Sequence, residues 1–109
     1  MIMDELPPII QEICDQLVNQ INPCRLLLFG SWAKGCATLS SDIDMLVVTE
    51  DERPFSLQQQ SSVQGLFYDY PVKVDILFCT EEDICVKDQQ AMSFLNMILK
   101  ASVILYTRN

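Results

Sequence analysis

LLLFGSWAKGCATLSSDIDMLVV, Leu26 to Val48, is the stretch on which the rest of the chain turns. Four apolar residues, Leu26 to Phe29, break at Gly30-Ser31, and a segment of mostly small residues runs from Trp32 to Ser41. Asp42 and Asp44, one residue apart, then lead into a second apolar run, Met45 to Val48. A buried strand, a tight glycine turn and a second strand opening on paired carboxylates read this way. Residues i and i+2 of a strand share a face, so Asp42 and Asp44 are expected to project together while Ile43 faces the core. Like charges held side by side repel unless protons or a cation intervene. A divalent cation is the simplest occupant.

At 109 residues the chain is expected to form one domain, residues 1–109, with a single core. Half the residues are apolar and evenly spread, which argues against disorder. No apolar run approaches the ~20 residues needed to span a bilayer. The start, MIMDELPPII, lacks the basic opening and long apolar core of a signal peptide, so a cytoplasmic location is expected. The five cysteines, Cys14, Cys24, Cys36, Cys79 and Cys85, contain no CxxC pair and read as reduced, mostly buried thiols. With no histidine, most zinc sites and every His-based triad are excluded. The formal net charge of −8 disfavours direct contact with a nucleic-acid backbone and is compatible with a basic protein partner.

Leu6, Ile9, Ile10, Ile13, Leu17 and Ile21 recur at helical steps and predict an amphipathic helix from about Pro7 to Gln20, stopped by Asn22-Pro23. Strands are expected at Arg25–Phe29 and Ile43–Val48, with a short helix at Ser31–Gly35 between them. Thr49 to Pro54 reads as a charged loop. Glutamine-rich Phe55 to Phe67 is assigned to a helix although it has no clean apolar stripe. A third strand is expected over Val72–Phe78, and Thr80 with its acidic neighbours resembles a capped helix start. A helix over Asp88–Lys100 and a strand over Val103–Tyr106 complete the chain.

Asp75, in the otherwise apolar VDILF, is costly unless something pairs with it. Taken alone, Ser-Ser-Asp before a strand is an ordinary turn with Asp42 as a hydrogen-bonding cap. That reading leaves Asp44 and Asp75 unexplained, so a metal site built on all three is favoured. A calcium loop starting at Asp42 fails, since Val47 stands where glycine is needed and Arg53 where glutamate is needed. A Walker-type phosphate loop fails because Lys34 is followed by Gly35.

Gly30-Ser31, then Asp42-Ile43-Asp44, then a later strand carrying Asp75, resembles the signature of the nucleotidyltransferase superfamily related to DNA polymerase beta. Within it, GSWAKGCATLSSDIDMLVV is similar to the short minimal nucleotidyltransferases, or MNT proteins. Gly35 and Ser41 also fit the pattern. Trp32 departs from it, as does Ala101-Ser102, where a glycine is usual after the last helix. The resemblance implies an α/β nucleotidyltransferase fold: a small mixed β-sheet with helices on one side and the active site where the acidic strands meet. It implies that Asp42 and Asp44 ligate magnesium, two ions being expected, and that Asp75 completes the second metal site or takes a proton from the attacking hydroxyl. Gly30, Ser31 and the amides that follow would bind the β- and γ-phosphates of ATP. Lys34 reads equally as a charge added there or as an ordinary surface lysine. Two cations roughly 4 Å apart can steady the attacking and leaving oxygens of in-line transfer, and hard oxygen ligands suit them.

MNT proteins often stand beside a HEPN-domain toxin, an RNase. The resemblance therefore implies an antitoxin that transfers AMP from ATP to a tyrosine hydroxyl of that toxin. Two alternatives stay open: a non-catalytic antitoxin that covers its partner, and a nucleotidyltransferase acting on small molecules. The latter usually needs a second domain, for which this chain has little room. Neither nucleic acid nor membrane is an expected partner, and homo- or hetero-oligomers are compatible with the sequence.

Overall fold

The computed structural model describes residues 6–38, 40–87 and 94–108. The elements run α1 (Pro8–Ile21), β1 (Arg25–Phe29), α2 (Ser31–Lys34), β2 (Ile43–Thr49), α3 (Leu57–Gly65), β3 (Val74–Thr80), α4 (Glu81–Lys87), α5 (Phe94–Lys100) and β4 (Val103–Thr107). The sheet order is β3-β2-β1-β4. β1 pairs antiparallel with β2 and with β4, whereas β2 and β3 are parallel and need the α3 crossover between them. The expected small mixed α/β sheet is therefore observed.

The helices are not confined to one side, as the resemblance had implied. Ile10, Ile13, Cys14 and Leu17 of α1 and Val63 of α3 pack with Leu26, Leu28, Ile43, Met45, Val47, Val74 and Ile76 on one face. Ile98 of α5 packs with Leu27, Leu46, Val48 and Cys79 on the other, and Ile84 of α4 lies against that cluster. The physical reason is in the strands themselves. LLLF and MLVV are apolar without alternation, so consecutive side chains on opposite faces both need cover. Each fully buried aliphatic side chain contributes ~1.5–3 kcal/mol.

Local chemistry sets the helix ends. Pro8 opens α1, where a missing N–H costs nothing, and Asn22 closes it in the left-handed region with its N–H on Val18 O. α3 has no apolar stripe and buries Val63 alone. It is held instead by a capping box: Ser56 Oγ accepts from Gln59 N at 3.1 Å and Gln59 Oε1 accepts from Ser56 N at 2.8 Å. Thr80 caps α4 as expected, its Oγ1 accepting from Asp83 N at 3.2 Å while Asp83 Oδ2 accepts from Thr80 N at 3.0 Å. The bidentate pair of Arg25 with Glu81, 2.9 and 3.0 Å, ties β1 to α4. Ser102 stands in for the usual glycine after α5 by donating Oγ–H to Leu99 O at 3.0 Å.

Boundaries move by small amounts. β2 runs one residue further than expected because Thr49 is buried, with its hydroxyl on Cys79 O. β3 starts at Val74 rather than Val72, after a bend that includes Pro71, which has no N–H for a ladder. α3 covers Leu57–Gly65 of the expected Phe55–Phe67. The last helix is seen from Phe94; residues 88–93 of its expected span lie outside the described residues. Among the described residues no helix is long and apolar enough to cross a membrane.

Cys14 and Cys79 are buried free thiols and Cys36 is exposed, while the Cys85 side chain lies outside the description. Burial, reinforced by Asp15 beside Cys14 and by Asp83 and Glu81 near Cys79, pushes both buried thiols from the usual 9.0 to about 12. Alkylation near ~pH 8 is expected to label Cys36 in the folded protein and to spare Cys14 and Cys79 until denaturant is added, as read by peptide mass mapping. The unfolded chain releases these protons near 9.0 and the folded chain keeps them to about 12, so their contribution to stability is whole below 9.0 and lost across that window. Urea midpoints should fall as pH rises through it.

Candidate active site

Asp44 is the centre of the site. In register it faces Phe29 of β1 on one side and Asp75 of the parallel strand β3 on the other. Ile43 and Met45, its neighbours in β2, are fully buried on the α1 face, which turns Asp44 to the opposite face together with Leu46 and Val48. α5, with α4 beside it, covers the Leu46 and Val48 end of that face, while Asp44 and Asp75 are left half-buried.

Three features act on the acids. Burial raises the Asp44 carboxyl above its usual range, and the charges of Asp75 and Asp42 and a hydrogen bond with Asp75 raise it further. Lys73 works in the opposite direction, and its Nζ lies 3.7 Å from Asp75 Oδ2. That ion pair is open to solvent, 68% exposed on the lysine and 39% on the aspartate, so it offsets little of the repulsion.

The structure brings Asp44 and Asp75 together. Asp42 is exposed just ahead of β2, close enough for Asp44 to feel its charge. Among the described residues no three His, Cys, Asp or Glu side chains are gathered tightly enough to hold a metal ion. The turn before β2 is organised by Thr38 and Ser41, with Ser41 Oγ accepting from Thr38 N at 2.8 Å and Thr38 O accepting from Ser41 N at 3.0 Å. The local hydrogen bonding that would have made Asp42 an ordinary turn residue is therefore supplied by its neighbours. An opposed pair of hard carboxylate oxygens, with the Asp44 carboxyl already raised by burial and then by its acidic neighbours, fits a divalent cation in donor chemistry.

Gly30 carries the backbone past these acids. Its φ is +76°, and a Cβ added there would collide with Asp44 Oδ2. Only glycine allows that approach. α2 follows as a single turn, so the amides of Ser31, Trp32 and Ala33 lie outside its own ladder, which begins with Lys34 N on Gly30 O at 3.1 Å. Lys34 is exposed at the end of α2, and among the described residues the cation paired with these acids is Lys73 instead. Trp32 packs against the α1 face of the core, as does Ala33. Lys73 was legible by the same-face rule, two residues before Asp75 in VKVD, but was not singled out.

Solved structures share this architecture. A candidate nucleotidyltransferase from Sulfolobus solfataricus superposes with a TM-score of 0.60 at 20% identity, covering 93% of this chain and 79% of its own. A toxin-antitoxin with AMP-PNP gives 0.59 at 20% identity, covering 91% of this chain and 74% of its own. A mutant of the toxin-antitoxin MntA-HpeT gives 0.64 at 20% identity, covering 96% and 76%. At that identity the likeness speaks to the fold. No curated protein matches the chain significantly in sequence. The family model "Polymerase beta, Nucleotidyltransferase" matches residues 11–109, which takes in Gly30, Ser31 and all three aspartates, and the chain belongs to that family.

Proposed function

We propose that this chain is an antitoxin that transfers AMP from ATP to a tyrosine hydroxyl of a cognate HEPN-type RNase toxin. The observation that carries the reading is the opposition of Asp44 and Asp75 across parallel strands beside the Gly30 turn. Membership of the nucleotidyltransferase family supports the chemistry, and the shared fold with toxin-antitoxin structures, one of them with AMP-PNP, supports the biological setting.

Asp42, Asp44 and Asp75 would hold two magnesium ions, which when bound would polarise the α-phosphate and offset the charge gathering on pyrophosphate. Gly30, Ser31 and the first amides of α2 would receive the β- and γ-phosphates, with Lys34 adding positive charge at the rim. Asp75 would accept the phenolic proton. The tyrosine oxygen then bonds to the α-phosphorus as the bond from that phosphorus to the pyrophosphate oxygen breaks. AMP ends on the toxin as a phosphodiester and pyrophosphate leaves. The added bulk and negative charge would close an RNA-cleaving site. A net charge of −8 suits steering toward a basic RNase surface.

Incubation with ATP, magnesium and the cognate toxin is expected to add one AMP mass to the toxin, read by intact-protein mass spectrometry. Asp44→Ala should slow transfer by on the order of 100-fold or more, since several kcal/mol of charge stabilisation are lost. No adduct with the wild-type chain, or an undiminished one with Asp42→Ala, sinks the proposal. An Asp44→Ala chain that makes no adduct yet still protects cells would assign neutralisation to binding. Gly30→Ala introduces both a positive-φ penalty of ~1–2 kcal/mol and a clash with Asp44. Its transfer rate is expected to fall at least ~10-fold at temperatures well below its melting midpoint, measured by initial rates.

A further inference from the structure

Gln64, near the end of α3, reaches across the outer edge of β3. Its Nε2 donates to Val74 O, and its Oε1 accepts from Ile76 N at 2.9 Å. Those two backbone groups belong to the residues immediately before and after Asp75. In a strand, the N–H and C=O of one residue point to the same side and those of its neighbours to the other. The groups of Val74 and Ile76 therefore face outward, where the sheet ends with β3, and those of Asp75 face β2. One side-chain amide thus takes the place of one rung of an adjoining strand, at the single position where the sheet must hold two carboxylates against their mutual repulsion.

We propose that Gln64 is a positioning residue: by pinning both peptide units that flank Asp75, it keeps that carboxylate aimed at Asp44. The inference rests on the metal-site reading of these aspartates. The base of the clamp is itself fixed, because α3 is closed at its start by the Ser56–Gln59 box and buries Val63, the residue before Gln64. Without the amide, the edge backbone at Val74 and Ile76 would be bonded by water. Repulsion from Asp44 would then be free to turn Asp75 outward, away from β2. Outer-shell groups of this kind typically change metal affinity by ~10–100-fold.

The test is Mn2+ binding in the presence of a non-hydrolysable ATP analogue, followed by electron paramagnetic resonance, which needs no turnover and no toxin. Gln64→Leu is expected to weaken Mn2+ binding roughly tenfold or more. In an Asp75→Ala background the same change should add nothing further, because the clamp then has no carboxylate to aim. Gln60→Leu removes a comparable side-chain bond, Nε2 to Phe55 O at 3.0 Å, from the same helix and should bind as the wild type does. Circular dichroism melts establish that each variant is folded, and Gln64→Met, equally unable to bond, replaces Gln64→Leu if that variant is not. Wild-type affinity in the Gln64 variant, or equal weakening with and without Asp75, overturns the proposal. If Asp75→Ala itself binds Mn2+ like the wild type, Asp75 is no ligand. The site reading then fails and takes the clamp's role with it, an outcome distinct from failure of the clamp alone.

Discussion

Two carboxyl groups stand face to face on neighbouring strands, and the packing around them has to hold them there. Met45 with Ile76, Leu46 with Leu77 and Val47 with Phe78 continue the same parallel register beneath Asp44 and Asp75. A slip of one residue would send one acid to the opposite face and expose the apolar ladder with it, so core packing is what enforces the acidic pair. The free energy that assembles the site is hydrophobic, drawn from residues that take no part in chemistry.

The same economy explains the glycine. β1 delivers the chain beside Asp44 at Phe29, and the next residue has to turn away without a side chain in the path of the carboxylate. Gly30 does so at positive φ, and a one-turn helix starts at once, leaving the amides of Ser31, Trp32 and Ala33 outside its own ladder.

Most of this was legible in the chain, and for identifiable reasons. Asp42 and Asp44 stood out as carboxylates one residue apart at the head of an apolar run, Asp75 because an acid interrupts an apolar strand only at a cost, and Gly30-Ser31 because it ends a strand abruptly. The α1 stripe and the Thr80 cap were readable by helical spacing and side-chain chemistry. The placement of helices on both faces was written in the unbroken apolar runs of β1 and β2, although family resemblance pointed to one side. Gln64 was beyond reach: its bonds to Val74 and Ile76 arise from how the α3 crossover is laid on the sheet, and no local pattern encodes that. α3 itself carries S-x-x-Q in Ser56–Gln59, a cap signature that compensates for its missing apolar stripe.

Trp32 is the sole tryptophan of the sequence, set one residue beyond Ser31. Its ring lies against the core, and its indole nitrogen is buried without a hydrogen-bond partner among the described residues. An indole in such surroundings emits at short wavelength, and its emission shifts when water or a polar group reaches the ring. The chain therefore carries a built-in optical reporter of core packing next to its glycine turn, readable in the unlabelled protein and in real time.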